Sequence, residues 1–280
     1  MTDQRPKPPK TPPYSDINLN EWRSYDHILT DSLWLFPARA KTGGHQLEYH
    51  GNYIPQIATQ LFTRYTKADE IVLDMFLGAG TSALEAVNLG RKCVGVELKP
   101  DLVAHVRGRI PKSARADVRL ITGDSAAPET VSQVREALSA LGSEAAHFLV
   151  LHPPYADIIK FSDLPNDLSN APSVDAFLDG FERVARNGWE LLAPGRFAAV
   201  IIGDKYANGE LQPLGFWCME RMMRVGFKTK AIIVKDIRGN EKGKGRSANL
   251  WRYRALAGGY YIFKHEYIFV MQKPKKRRKK

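Results

Sequence analysis

Short apolar segments alternate with longer segments of helical length through the middle of the chain, and this alternation limits the possible folds more than any other feature. Apolar runs bounded by Gly, Pro or acidic residues predict strands at 70–76, 93–96, 117–121, 147–151, 197–202, 227–234 and 265–271. Strands that alternate with helices predict a parallel, twisted sheet with both faces covered. The last two strands are expected to form an antiparallel pair. The sequence therefore predicts the α/β class, with a doubly wound, mostly parallel seven-stranded sheet and an antiparallel last strand.

Composition and charge indicate one domain with two extended ends. The chain has 280 residues, 44% hydrophobic and 25% charged, which is typical of a globular protein with a substantial core. We expect a disordered Pro/Lys-rich leader at 1–13, a single domain at 14–272 that contains a basic, Gly-rich loop at 236–259, and a basic tail at 273–280. The tail holds seven Lys and Arg residues, and the formal net charge of the chain is +11. Such a tail suits nucleic acid, an anionic membrane surface or a solubilising role.

Cysteine usage indicates a reducing compartment. Cys93 and Cys218 are too few for a disulfide framework or a zinc cluster, and Cys93 falls in a predicted strand, where it is expected to be a small core residue. The sequence has no signal-peptide pattern and no apolar run long enough to span a membrane. We expect a cytoplasmic protein, with no membrane partner and no metal.

Two glycines, Gly78 and Gly80, stand between the strand predicted at 70–76 and the N-terminus of a helix. A turn of this kind lets a ligand approach the backbone, and the helix behind it offers N–H groups that have no partner within the helix. The pattern also fits a phosphate loop or a dinucleotide fold, in which Ala83 would replace the third glycine. The Gly-Lys-Ser/Thr sequence of a Walker-type loop is absent.

Acidic residues follow three successive predicted strands, at Asp74, Glu97 and Asp124. A carboxylate at Asp74 would repel a pyrophosphate but attract a cation, and S-adenosylmethionine carries an ammonium and a sulfonium. Glu97 is placed to accept hydrogen bonds from ribose hydroxyls, as an acid does in NAD-binding folds. Asp124 is placed to accept the adenine amino group. Any one of these acids has an alternative as a solvated strand end, but three of them beside Gly-x-Gly favour S-adenosylmethionine as the cofactor.

The sequence His152-Pro153-Pro154-Tyr155 directly follows the apolar strand predicted at 147–151. Two consecutive prolines cannot continue a strand ladder or enter a helix interior, so the chain must leave the sheet as a stiff, extended turn. This turn places a polar side chain, fixed carbonyls and an aromatic ring at the carboxyl end of a strand. Open α/β sheets bind their ligands at that edge.

The run Asp74-Met75-Phe76-Leu77-Gly78-Ala79-Gly80-Thr81, together with Pro153-Pro154-Tyr155, resembles the S-adenosylmethionine-dependent DNA amino-methyltransferases (DNA methylase N-4/N-6 family), which methylate adenine at N6 or cytosine at N4. The resemblance extends from about Leu33 to Lys273 and implies the Rossmann-like fold of class I methyltransferases. It implies cofactor contacts from His50, Pro55, Gln56, Asp74, Phe76, Gly78, Gly80, Thr81, Ser82, Glu97 and Asp124.

The resemblance also implies a catalytic site made of His152, Pro153, Pro154 and Tyr155, although the family has Asp, Asn or Ser where this chain has His152. Acceptors on the hydrogens of a base amine direct its lone pair at the methyl group, and the Pro153 carbonyl and the residue 152 side chain are the expected acceptors. Neutral imidazole has one acceptor nitrogen. Alternatively, the His152 side chain only packs against its neighbours, or its presence in place of the family's residue lowers the methyltransferase activity. Tyr155 is expected to stack on a flipped-out base, the alternative being that it packs over its own loop.

A basic, aromatic segment late in the chain is the expected contact for nucleic acid. Lys and Arg residues interleaved with Gly suit phosphate contacts, and aromatic rings can stack on bases, although a solvated charged loop would have the same composition. The expected contacts are Lys235, Arg238, Lys242, Lys244, Arg246, Trp251, Arg252 and Arg254. The chain has little room for a separate recognition domain, so a short target sequence or weak specificity is expected.

These observations predict a site-specific DNA methyltransferase that moves a methyl group from S-adenosylmethionine to the exocyclic amine of a flipped-out adenine (N6) or cytosine (N4). The enzyme would be of the restriction–modification type or solitary, and a monomer or weak homodimer. The alternatives are a methyltransferase of the same fold that acts on RNA or on a protein glutamine, and a non-catalytic DNA-binding relative. Because His152 departs from the family pattern, the choice between adenine and cytosine stays open.

Overall fold

The computed structural model describes residues 8–45, 51–207, 209–237 and 248–275, and only the backbone of residues 248, 249 and 251. The helices and strands are β1 (Leu33–Trp34), α1 (Pro55–Tyr65), β2 (Ile71–Asp74), α2 (Thr81–Asn88), β3 (Lys92–Glu97), α3 (Pro100–Arg109), β4 (Val118–Thr122), α4 (Pro128–Ala140), β5 (Ala146–Leu151), α5 (Val174–Leu191), β6 (Leu192–Ile202), β7 (Lys205–Ala207), β8 (Glu210–Gln212), α6 (Leu214–Val225), β9 (Lys228–Asp236), α7 (Ala248–Gly258) and β10 (His265–Gln272).

Among the described residues, the main sheet has eight strands in the order β1-β9-β10-β6-β5-β2-β3-β4, and β7 and β8 form a separate hairpin. Neighbours in the main sheet pair in parallel, except that β10 is antiparallel to both β6 and β9. This confirms the predicted α/β class and the antiparallel last strand. The predicted count of seven strands is wrong by one, because the two-residue β1 adds to the outer side of β9 and is too short to show a period in the sequence.

Both faces of the sheet are buried under helices. On β5, the side chains of Phe148, Leu149 and Val150 are all fully buried. Leu149 belongs to one hydrophobic cluster, while Phe148 and Val150 belong to the other, because successive side chains of a strand point to opposite faces. A strand buried on both faces is apolar throughout, and for this reason the apolar run before His152 correctly predicted strand β5.

The turn between β2 and α2 requires glycine for two independent reasons. Gly80 is the N-cap of α2 and has a φ of 83°, in the left-handed region that side chains other than glycine avoid. A Cβ at Gly80 would also lie 2.6 Å from Cγ1 of Val106, a buried residue of α3. The fold therefore needs this glycine to bring α2 against α3, whether or not a ligand is bound.

The segment expected as a basic loop at 236–259 contains a helix instead. Its described part includes α7, with Leu250 and Ala255 among its good helix formers, and Gly259 follows with a φ of 67°. The glycines that favoured a loop lie mainly in residues 238–247, outside the described residues, or at the end of the helix, where glycine is common.

Where the structure describes the two ends expected to be extended, hydrogen bonds attach them to other parts of the chain. The N–H of Leu19 donates to the Lys10 carbonyl at 2.8 Å, and Asn20 Nδ2 donates to the Pro8 carbonyl at 3.0 Å. Lys273 Nζ donates to the carbonyls of Trp189 and Leu192. The rest of the expected leader (1–7) and of the expected tail (276–280) lies outside the described residues.

Within the described ranges, no helix is both long enough and apolar enough to cross a membrane. In the same ranges, no group of three or more His, Cys, Asp and Glu side chains is arranged to hold a metal ion. Cys93 and Cys218 are free and buried, which confirms Cys93 as a core residue.

Candidate functional site

An open cavity of about 710 Å³ lies at the carboxyl ends of β2, β3, β4 and β5. Its volume falls in the range of small-molecule sites. The described residues in its wall that the sequence predicted as functional are Phe76, Gly78, Thr81, Glu97, Asp124, His152, Pro153, Pro154, Tyr155 and Lys235. The structure therefore brings the predicted cofactor turn and the predicted catalytic turn together in one cavity.

Asp74 lies behind the turn rather than at its mouth, so its expected position is wrong. Its side chain is fully buried, and its Oδ1 accepts from the N–H of Phe76 at 2.9 Å, while its Oδ2 accepts from the Ser82 hydroxyl. Burial raises the pKa of Asp74 to about 6, and these two hydrogen bonds act in the opposite direction. Asp74 therefore holds the shape of the turn from beneath, and its charge can reach a ligand only through space.

Four other predicted cofactor residues also lie outside the cavity wall: Pro55, Gln56, Gly80 and Ser82. Gln56 of α1 instead holds the segment before the cavity, since its Nε2 donates to the Ala38 carbonyl at 2.6 Å and its Oε1 accepts from the N–H of Ala40 at 3.0 Å. These four residues thus lie around the turn and outside the cavity wall, and their contact with the cofactor stays a prediction. His50 lies outside the described residues.

Glu97 lines the cavity at the end of β3 and is held by backbone donors. Its Oε2 accepts from the N–H of Gly78 at 2.9 Å and its Oε1 from the N–H of Lys99 at 3.0 Å. Burial raises the pKa of Glu97, while these hydrogen bonds oppose the rise. Asp124, after β4, accepts from the N–H of Ala126 at 2.8 Å. Two acids at adjacent strand ends thus line the cavity in fixed orientations, as the sequence predicted.

His152 stands at the turn after β5, between two aromatic rings. The imidazole is nearly perpendicular to the ring of Tyr53 (centroids 5.3 Å apart) and to the ring of Tyr155 (5.9 Å). Burial lowers the pKa of His152 to about 4, and the nearby Glu266 only partly offsets this. The imidazole has no hydrogen-bond partner among the residues that the structure describes. It is therefore neutral at physiological pH, and its ring lines the cavity with one acceptor nitrogen.

Tyr155 is held by groups from two other strands. Its hydroxyl donates to Glu266 Oε2 at 2.9 Å, and Glu266 Oε1 lies 3.0 Å from Lys235 Nζ. The ring also lies against Gly203, where a Cβ would come within 2.9 Å of Tyr155 Cε2. Burial raises the pKa of the Tyr155 hydroxyl far above its usual value, so this group remains a donor.

Sequence reasoning missed several residues of the cavity wall, among them Arg39, Asn52 and Glu266. Arg39 Nη1 donates to the carbonyls of Asn52 and Tyr53, at 3.1 and 3.0 Å, and Asn52 Oδ1 accepts from the N–H of Ala79 at 3.4 Å. The segment that carries Arg39 has no periodicity from which a site could be recognised, whereas Asn52 stands between the predicted cofactor residues His50 and Pro55. For Glu266 a signal existed, because a charged residue at the start of an antiparallel last strand must lie at the ligand edge of the sheet.

The predicted nucleic-acid contacts are only partly described. Lys235 is 5% exposed and pairs with Glu266, so its expected position in an exposed loop is wrong. Arg252 and Arg254 are exposed on α7, beside the exposed Tyr253. Arg238, Lys242, Lys244 and Arg246, and the side chain of Trp251, lie outside the described residues.

Residues 7–107 match the family described as DNA methylase, of the N6 and N4 methyltransferases. The curated type II methyltransferase M.MjaII of Methanocaldococcus jannaschii is 30% identical over 61 residues, which cover 21% of this chain and 12% of the relative. The type II methyltransferase M.ScaI of Streptomyces caespitosus is 30% identical over 88 residues, or 30% of this chain and 29% of the relative. The matched segments thus span less than a third of either relative.

The fold has counterparts among solved structures. The [4+2]-cyclase SpnF superimposes with a TM-score of 0.50 at 14% sequence identity, over 79% of this chain and 82% of the cyclase. This likeness concerns the fold alone, and it agrees with the predicted Rossmann-like α/β architecture. The family match covers the segment with the predicted cofactor turn, and so it confirms the predicted resemblance to this family over that part of the chain. Over residues 7–107, this chain is therefore similar to the DNA methylase family of N6 and N4 methyltransferases.

Proposed function

We propose that this protein transfers a methyl group from S-adenosylmethionine to the exocyclic amine of an adenine (N6) or cytosine (N4) that is flipped out of duplex DNA. One observation carries the proposal: the Gly78 turn and the His152–Tyr155 turn, which are the two motifs of the family resemblance, line one cavity of about 710 Å³. A methyl donor bound at the first turn would meet a base bound at the second.

S-adenosylmethionine is the cofactor, and the wall near β2, β3 and β4 fits it. Glu97 and Asp124 present carboxylate oxygens for ribose hydroxyls and for the adenine amino group, while Gly78 offers backbone without a side chain. The buried carboxylate of Asp74 favours a cationic ligand through space. The sulfonium supplies an activated methyl group, so the protein has to bind and orient the two reactants.

The catalytic turn provides acceptors for the hydrogens of the amine. The Pro153 carbonyl is fixed by the rigidity of two prolines, and His152 contributes a neutral imidazole nitrogen. Together they would direct the lone pair of the amine at the methyl group, which is a positioning contribution to catalysis. Tyr155 offers a ring on which the base can stack, compensating for stacking lost on leaving the duplex.

DNA is the proposed partner, bound at the open side of the cavity. Exposed Arg252 and Arg254 on α7 suit phosphate contacts, and Ile158 and Ile159 at the cavity rim are 52% and 43% exposed. Exposed positive groups suit the phosphates of a duplex, and exposed apolar groups at the cavity rim suit the extrusion of a base. The relatives are named as type II methyltransferases, and we extend that restriction–modification role to this chain. With two free, buried cysteines, its proposed location is the cytoplasm.

The test combines a cofactor measurement with an unbiased search for the target. Modification-detecting sequencing of DNA from cells that express the protein should reveal one methylated base at a recurrent short sequence. The purified protein should bind S-adenosylmethionine in calorimetry and methylate duplex DNA that carries this sequence. If RNA or a protein glutamine is methylated while DNA stays unmodified, the substrate of the enzyme is not DNA. Binding without transfer to any substrate would indicate a non-catalytic relative.

The variant His152→Ala separates binding from chemistry. It should lower the rate of methyl transfer by roughly a hundredfold or more, because one of two acceptors is lost, and change the affinity for S-adenosylmethionine by less than about threefold. His105→Ala is the matched control, since His105 is exposed on α3 away from the cavity wall. Wild-type turnover by His152→Ala would remove His152 from the mechanism.

A further inference from the structure

Two buried, oppositely charged side chains line the base side of the cavity. Lys235 at the end of β9 is 5% exposed, Glu266 at the start of β10 is 7% exposed, and their Nζ and Oε1 atoms lie 3.0 Å apart. The strands are paired so that Glu266 is opposite Lys235, and the pairing of Tyr267 with Ile202 places Glu266 beside Gly203. The sheet register therefore brings this pair to the His152–Tyr155 turn.

The pair is not explained by stability alone. Removing two charges from water costs several kcal/mol for each ion, and apolar side chains of similar size often stabilise a protein equally well or better. The second carboxylate oxygen of Glu266 accepts a hydrogen bond from the hydroxyl of Tyr155, which lies 111 residues earlier in the chain. The three side chains thus form one chain of contacts, from Lys235 through Glu266 to Tyr155, along the cavity wall.

Tyr155 is constrained at its far end as well as along its ring. Its hydroxyl is tied to Glu266, and its ring lies so close to Gly203 that a Cβ there would come within 2.9 Å. A hydrogen bond to an ionised acceptor is stronger than one between neutral groups. These two contacts restrict the ring to one orientation beside His152, with ring centroids 5.9 Å apart.

We propose that Glu266 is a positioning residue for methyl transfer. It holds the Tyr155 ring against the flipped-out base, while Lys235 balances the charge of the Glu266 carboxylate. This inference rests on the proposed function and adds to it a residue outside the catalytic motif. Glu266 acts through Tyr155 and makes no contact with the reacting atoms. Loss of the carboxylate or of the Tyr155 hydroxyl should therefore lower turnover in the same way.

The first experiment compares Tyr155→Phe, Glu266→Met, which has no oxygen to accept the hydroxyl, and the double variant in steady-state methylation of the target duplex. Tyr155→Phe keeps the ring and removes only the hydroxyl, and it should lower kcat roughly tenfold with S-adenosylmethionine affinity changed less than about twofold. The double variant should be no slower than the slower single variant, because both changes break one contact. Tyr261→Phe is the matched control, since Tyr261 is 86% exposed and outside the cavity wall. Wild-type kcat in Tyr155→Phe, or multiplicative losses in the double variant, would overturn the inference.

Glu266→Met leaves Lys235 buried without its carboxylate, so we expect this variant to be destabilised. Lys235→Met combined with Glu266→Met removes both charges and the acceptor oxygen while keeping similar volume, and it should fold and still show the kcat loss. A crystal structure of that variant gives a readout that does not depend on activity: the Tyr155 ring should leave its orientation beside Gly203. An unmoved ring would overturn the inference. If wild-type protein methylates no DNA and the ring still moves, the positioning contact stands and the proposed function fails.

Discussion

Replacement of Gly80 by alanine tests whether the cofactor turn is required by the fold itself. Gly80 has a φ of 83°, and an alanine there incurs a left-handed backbone strain of about 1–2 kcal/mol. The new Cβ would lie 2.6 Å from Val106 Cγ1 and 3.0 Å from Cγ2. Val106 is fully buried and has little freedom to move, so overpacking adds about 1–3 kcal/mol. We expect Gly80→Ala to lower the free energy of unfolding by roughly 2–5 kcal/mol.

Gly90→Ala is the matched control, because it isolates the backbone contribution. Gly90 has a φ of 68°, and a Cβ there would meet no described atom within 4 Å. It should therefore cost only the strain of about 1–2 kcal/mol. Urea unfolding followed by circular dichroism measures both variants against the wild-type protein. The difference between the two variants is the cost of the collision with Val106.

Shortening Val106 to alanine should relieve that collision. In the Gly80→Ala background, Val106→Ala should cost less than it costs in the wild-type protein, because the added Cβ fills part of the space that the valine leaves. Equal losses in Gly80→Ala and Gly90→Ala, together with additive losses in the double variant, would refute the packing argument. Gly80 would then be required by backbone conformation alone.

Two further predictions concern pH. Asp74→Asn should remove a pH dependence of stability: burial raises the pKa of Asp74 to about 6 in the folded protein, so relative to this variant the wild-type protein should gain roughly 2 kcal/mol as pH falls from 7 to 4. Urea unfolding at both pH values checks this, and a gap that does not grow would contradict it. Methyl transfer should show no inflection near pH 6.5 from His152, whose pKa is lowered to about 4 and which therefore stays neutral from about pH 5.5 to 8. A rate profile over that range checks it, and an inflection near pH 6.5 that disappears in His152→Ala would contradict it.

The parts of the site that sequence predicted are those with a local cause. Two prolines after an apolar run force the chain out of the sheet, and glycines before a helix permit a tight turn, so both turns are recognisable without a structure. Glu97 and Asp124 follow predicted strands and lie at the predicted edge. The same reasoning misplaced Asp74, because whether the acid at the end of β2 faces the cavity or the protein beneath depends on the packing of Ser82 and Phe76 around it.

The sequence by itself determined the α/β class, the two turns and the resemblance to the DNA methylase family, because these features depend on local backbone preferences, on the periodicity of apolar residues and on short motifs. Only the tertiary structure decided what surrounds the His152–Tyr155 turn. The insertion of antiparallel β10 between β6 and β9 brings Glu266 to Tyr155 across 111 residues, and it places Lys235 in the cavity wall instead of in an exposed loop. The start of an antiparallel last strand could place Glu266 at the ligand edge, but its pairing with Lys235 and Tyr155 depends on sheet order and register, which the packing of the whole chain sets.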